Sequence, residues 1–198
     1  DYLSIIIKGI KLFRVISLNA NGIRAAARKG FYEWMDTQNA DIVCIQETKA
    51  QEHQLIDECF RPKGYYSYYN DALRKGYSGV AIYSRHKPKK VIRGIGLEGF
   101  DDEGRYIEIR LKNINLISVY LPSGSSGDIR QNFKMKCLEA FETHLVNLRR
   151  RHSEYIICGD WNIAHKEIDI KNWRGNKKNS GFLPEVRAWL TNIFDNHN

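Results

Sequence analysis

Three short apolar stretches each end in residues able to hold a hard cation. FRVISL at 13–18 delivers Asn19 and Asn21, DIVCIQ at 41–46 delivers Glu47, and YIICG at 155–159 delivers Asp160 and Asn162. Two carboxylates with amide oxygens form the all-oxygen set that suits Mg²⁺, which keeps several waters and completes its shell with a substrate phosphate. Such an ion offsets charge on phosphoryl oxygens, while a carboxylate beside the attacking water accepts its proton. Taken singly, a carboxylate after a buried strand is more often a turn or helix-capping residue, and spacing does not decide between the two. The histidines at 53, 86, 144, 152, 165 and 197 show no metal-ligand spacing such as HExxH, which leaves them packing or surface roles. Cys44, Cys59, Cys137 and Cys158 form no C-x-x-C pair, and Cys44 and Cys158 sit inside apolar runs, so buried free thiols are expected.

The elements that must position these groups are legible as short β-rich runs at 13–18, 42–46, 80–83, 106–111, 116–121 and 155–158. The run at 42–45 is continuously apolar and reads as a central strand, whereas 106–111 partly alternates, as a strand with one wet face does. A long helix is predicted from Asp128 to about Arg150, where Phe133, Cys137, Leu138, Phe141, Leu145 and Leu148 recur at three- and four-residue steps. A second starts at Pro184, with Val186, Trp189, Leu190, Ile193 and Phe194 on one face. Shorter helices are expected at about 29–38 and 52–60. Strands and helices mix without strict βαβ alternation, and no GxGxxG or P-loop occurs, which points to an α+β or sheet-on-sheet layered domain rather than a Rossmann fold.

The 198 residues suffice for one domain with a sizeable core. A formal charge of +8 and a pI near 9.3 favour a polyanionic partner. The charge gathers in RHKPKKVIR at 85–93, RRRH at 149–152 and KNWRGNKK at 171–178, the second of which reads as a solvated helix end. No apolar run approaches the roughly 20 residues that span a bilayer, and the N-terminus lacks the pattern of a signal peptide, so no membrane role and a cytoplasmic protein are expected. Residues 1–11 read as an N-terminal extension, non-native or upstream sequence, and 12–198 as the functional domain.

Six ordered motifs carry a resemblance: SLNANGIR at 17–24, IQETK at 45–49, GYSGV at 76–80, VYLPSG at 119–124, GDWN at 159–162 and IDIKN at 168–172. With them the chain resembles the exonuclease III family of AP endonucleases. GDWN alone would mark only the wider superfamily that includes DNase I and phosphoinositide phosphatases. The resemblance implies a four-layer αββα sandwich of two mixed β-sheets flanked by helices. It implies a Mg²⁺-dependent nuclease, with Mn²⁺ as a substitute, that cuts double-stranded DNA 5′ to abasic sites and acts on 3′ blocks or as a 3′–5′ exonuclease. By that resemblance Glu47 is the principal metal carboxylate, assisted by Asn19 or Asn21. Asp160 handles the proton of the attacking water or leaving group, and Asn162 holds the phosphate, with both also counted in the metal set. Tyr120 hydrogen-bonds a phosphate oxygen; a tyrosine ending an apolar strand can be a half-buried packing residue, but Pro122 and Gly124 follow it in the family's pattern and favour the functional reading.

The segment NWRGNKKNSGF at 172–182 is similar to the family's DNA-contacting loop, with Asn176, Lys177 and Asn179 as phosphate donors. Arg24, Lys49, Tyr77, Arg105 and Ser123 are further candidates for tracking the DNA backbone. A lipid phosphatase of the same superfamily has no use for such a loop. Family members continue beyond the equivalent of Asn198 to an Asp-bearing segment and a Ser-Asp-His. On that basis the chain is expected to be incomplete at its C-terminal end, with an exposed sheet edge, monomeric only at full length, and nucleoid-associated in a bacterial-like cytoplasm. A catalytically inactive DNA-binding remnant is the alternative expectation. Leu18 stands where many relatives have an aromatic residue, a change expected to affect packing alone.

Overall fold

The structure is a computed structural model that describes residues 12–196, so the expected extension at 1–11 and His197 lie outside the described residues. Two compact units are present. One runs to Tyr120 and takes in Glu154–Asp160; the other comprises Leu121–Ser153 and the chain from Trp161 onward.

The first unit holds two four-stranded mixed sheets. In one, β1 (Val15–Asn19) lies parallel to β2 (Ile42–Gln46), followed by antiparallel β4 (Val80–Ser84) and β3 (Tyr66–Asn70). The other has the order β5 (Lys90–Arg93), β6 (Tyr106–Arg110), β7 (Asn115–Tyr120), β8 (Tyr155–Asp160), with β7 and β8 parallel. The continuous apolar run of β2 follows from burial on both faces. Val43 and Ile45 pack with Ala81, Tyr83 and residues of two short helices, α1 (Ile23–Arg28) and α2 (Phe31–Thr37). Ile42 and Cys44 instead join Val80 and Ile82 against Ile107, Ile109 and Leu116 of the second sheet. The side-chain period of two sends alternate residues to a helix layer and to the facing sheet.

A polar pin crosses the gap between the sheets. Gln46 Nε2 donates to Ser118 Oγ at 3.0 Å and Ser118 Oγ donates to the Ile45 carbonyl at 3.0 Å, both side chains being buried. It ties the ends of β2 and β7, the strands that carry Glu47 and Tyr120.

The second unit contains α3 (Asp128–Arg149), α4 (Trp173–Asn176) and α5 (Pro184–Asn196). Cys137, Leu138, Phe141 and Leu148 of α3 and Val186, Leu190 and Ile193 of α5 are buried. The Trp161 ring meets Phe141 edge-on at 5.7 Å and lies 6.2 Å from Trp189. No helix among the described residues is long and apolar enough to cross a membrane.

The expected strands and the two long helices are present with shifts of one or two residues at their ends. Five details differ from the sequence reading. Strands β3 and β5 were not foreseen: YSYYN has no aliphatic residue, and KVIR lies inside a basic run, so pairing to β4 and β6 makes these strands rather than their own patterning. The helix expected at 52–60 is two separate 3₁₀ turns, Glu52–Gln54 and Glu58–Phe60. The wet face expected of β6 is buried: Glu108 is 1% exposed and accepts from Tyr106 Oη at 2.8 Å and Arg110 Nε at 2.6 Å. In α3, Phe133 and Leu145 are half-buried while Lys134 is fully buried among the apolar residues. All four cysteines are free; Cys44 and Cys137 are buried as expected, but Cys59 is exposed.

Candidate functional site

In the first unit the loops after β1 and β2 are joined by backbone hydrogen bonds. Ala20 N–H donates to the Gln46 carbonyl at 2.9 Å, Gly22 to Glu47 at 2.7 Å and Ile23 to Thr48 at 2.9 Å. Thr48 and Lys49 donate in turn to the carbonyls of Gly79 and Ser78, at 3.0 and 2.8 Å. Asn21, Glu47 and Lys49 all adopt left-handed backbone, with φ of 44°, 56° and 48°. For a non-glycine residue that conformation costs on the order of 1–2 kcal/mol. The hydrogen-bonded loops hold it.

These loops bring the carboxylates together. The Asn19 side-chain amide donates to Glu47 Oε1 and to Asp160 Oδ2, each at 2.8 Å, while its Oδ1 accepts from the Asn21 N–H at 3.0 Å. That last bond fixes which end of the amide faces the acids, because a backbone N–H can only donate. Lys49 Nζ lies 2.7 Å from Glu47 Oε2 and also donates to Asn21 Oδ1. Burial raises the Glu47 pKa, but hydrogen bonds from Asn19, Lys49 and Tyr120, with the Lys49 charge, outweigh it and hold the carboxyl below its usual range. The Tyr120 phenol is pushed up to about 12 by burial, by the Glu47 charge and by its bond to that carboxylate.

The close approach of β8 to β7 sets the reach of Asp160. A Cβ on Gly159 would lie 2.3 Å from the Val119 carbonyl oxygen, a distance only glycine avoids. Arg105 is also in this unit, but inside it. It is 1% exposed and its fork is engaged with Glu103, the Tyr120 carbonyl and Tyr77 Oη. Arg24 is exposed, and Tyr77 is half-buried.

The second unit holds Asn162, Ser123, Asn176, Lys177 and Asn179. Asn162 is left-handed at φ 52°, its amide donates to the Leu121 carbonyl at 2.8 Å, and its own carbonyl accepts from buried Lys134 Nζ at 2.7 Å. A cleft of about 450 Å³ is lined by Ser123, Gly124, Gln131, Asn162, Asn179 and Ser180, among others. Among its lining residues, Gly124 N–H donates to Ser180 Oγ at 2.9 Å and Ser180 Oγ to Gln131 Oε1 at 2.6 Å. In the basic loop Asn176 donates to the carbonyls of Lys171 and Asn172, Asn179 donates to Asn176, and Lys177 sits 4.9 Å over the Trp173 ring.

Sequence reasoning missed Glu103, Lys134, Gln131 and Ser180. Lys134 carried a detectable signal, a lysine beside the apolar stripe of α3; the others had none apart from the fold.

No group of three or more His, Cys, Asp or Glu side chains able to hold a metal forms among the described residues. What the structure offers is Glu47 and Asp160, drawn to a single amide. That donor set fits a hard divalent cation that keeps most of its water.

Two facing mixed sheets that carry Asn19, Glu47, Tyr120 and Asp160 on adjoining strand ends define the endonuclease/exonuclease/phosphatase fold class. The sequence profile of the Endonuclease/Exonuclease/phosphatase family matches residues 16–198, and the chain belongs to that family, on its exonuclease III-like side. It is 40% identical over 183 residues to the exodeoxyribonuclease of Bacillus subtilis (strain 168), covering 92% of this chain and 71% of that protein. It is 37% identical over 184 residues to the DNA repair nuclease APEX1 of Danio rerio, with 92% and 59% covered. The structure of an AP endonuclease from Archaeoglobus fulgidus superposes with a TM-score of 0.83 at 28% identity, over 92% of this chain and 70% of that one.

Proposed function

We propose that this chain carries the site of a Mg²⁺-dependent DNA-repair phosphodiesterase that cuts 5′ to abasic sites and removes 3′ blocks or 3′ nucleotides. The observation that carries the reading is the convergence of Glu47 and Asp160 on the Asn19 amide, with the Tyr120 hydroxyl on Glu47. Glu47 and Asp160 would hold the Mg²⁺, for which Mn²⁺ substitutes. When bound, the ion offsets charge on the scissile phosphate. Asn19 orients both carboxylates. Asp160 accepts the proton of the attacking water, and Tyr120 keeps its proton throughout the neutral range; its one O–H, on Glu47 in the free site, would turn to a phosphate oxygen once that carboxylate is engaged by the ion.

The net charge of +8 supports a polyanionic substrate, and the basic loop supports DNA. Arg24, Lys49, Tyr77, Ser123, Asn162, Asn176, Lys177 and Asn179 are proposed to contact its phosphates. The test is nicking of a duplex carrying one abasic site. Cleavage is expected with Mg²⁺, lost with EDTA and lost in Glu47→Gln while DNA binding persists. Cleavage that survives both the chelator and the substitution refutes the reading.

A further inference from the structure

Among the described residues Arg105 heads the fully buried side chains by volume, yet it is charged. An arginine buried only to pair with a carboxylate gains little over an apolar side chain of the same size. Arg105 does more than pair with Glu103, its 2.6 Å partner through Nε. Nη1 donates to the Tyr120 carbonyl at 2.8 Å, and the guanidinium carbon lies 4.6 Å from the centre of the Tyr120 ring. The backbone adds a third tie, from Tyr120 N–H to the Arg105 carbonyl at 2.9 Å. Nη2 donates to Tyr77 Oη at 3.1 Å and keeps the plane of the fork from rotating. The turn leading into Arg105 is built for this. Gly104 has φ +59°, and a Cβ there would lie 2.5 Å from the Asp71 backbone.

We infer that Arg105 is a positioning residue that acts through Tyr120, and that it does not touch DNA. Its fork and its charge hold the Tyr120 ring and main chain, and so hold the hydroxyl on Glu47. This rests on the catalytic reading of Tyr120 given above, and the experiment separates the two.

The experiment compares Arg105→Met, Arg105→Lys, Tyr120→Phe and the double variant Arg105→Met/Tyr120→Phe. Cleavage of the abasic duplex is measured with Mg²⁺, and duplex binding in EDTA is measured against salt. Arg105→Met is expected to lower kcat by on the order of 10- to 100-fold through displacement of Tyr120, with KM nearly unchanged. The double variant is expected to be no slower than Tyr120→Phe, because an effect transmitted through the hydroxyl vanishes when the hydroxyl is absent. Arg105→Lys keeps charge and bulk but has no fork, and is expected to fall with Arg105→Met. It also stands in should the methionine variant misfold.

Multiplicative losses in the double variant would overturn the inference. So would weaker DNA binding in Arg105→Met with a salt slope reduced by about one, the mark of a lost phosphate contact. If the wild-type chain cuts no DNA, the proposed function falls, and the positioning claim is read from the Tyr120 ring resonances in EDTA. They shift or broaden in Arg105→Met and Arg105→Lys if the inference holds; unaltered resonances overturn it.

Discussion

Replacing Asn19 with alanine tests the feature on which the site is built. The change removes two hydrogen bonds to charged acceptors, each worth about 0.5–1.5 kcal/mol at an exposed position. It also leaves two carboxylates facing each other without the amide between them. At a separation of roughly 5 Å their repulsion is about 1 kcal/mol in water and about 3 kcal/mol at an effective dielectric of 20; it is present in both proteins, and only the part that the amide dipole offsets adds to the loss. Lys49 still neutralises part of Glu47, so the expected loss in EDTA at neutral pH is about 2–4 kcal/mol.

The pH dependence separates this cause from simple loss of packing. In the wild type the Glu47 carboxyl is held low, so its contribution to stability is full above the ordinary carboxylate range and is lost as pH falls through its folded pKa. In the variant Glu47 loses the Asn19 hydrogen bond, one of those that hold its carboxyl low, so less stability is lost as the pH falls through the carboxylate range. The gap between the two proteins should therefore narrow on acidification, and should narrow at neutral pH when Mg²⁺ is added. Urea unfolding with unchanged m values is the assay. A loss that is independent of both pH and Mg²⁺ refutes the reasoning.

Two further outcomes follow from the geometry. Gly159→Ala forces β7 and β8 apart at Val119, which should cost about 1–3 kcal/mol or more in urea unfolding and displace Asp160, so that cleavage falls further than stability does. Lys134→Met keeps the bulk of α3 but removes the donor to the Asn162 carbonyl; a stability loss of about 1–3 kcal/mol and faster amide hydrogen exchange around residues 162–165 are expected, and unaltered exchange would show that Lys134 does not hold that loop.

Much of this protein is legible in one dimension because the rules that wrote it are local. The double-faced burial of β2 shows in its unbroken apolar run, the long helices in their periodicity, and Asn19, Glu47 and Asp160 in the polar residues that end apolar strands, whereas Tyr120 is singled out by the family resemblance alone. Where local preference and tertiary pairing disagree, the sequence misleads. Nothing in YSYYN or KVIR makes a strand until β4 and β6 supply hydrogen-bond partners, and the alternation of β6 suggests water where Tyr106 and Arg110 instead close over Glu108. Arg105 shows the limit most plainly. As a residue type it suits a phosphate, and its type alone makes it a candidate for tracking the DNA backbone. Only the folded chain, by bringing Glu103, Tyr77 and Tyr120 around its fork, turned it inward. A side chain's chemistry belongs to its sequence; which partners it meets depends on contacts between residues far apart along the chain, and those exist only once the sheets have paired.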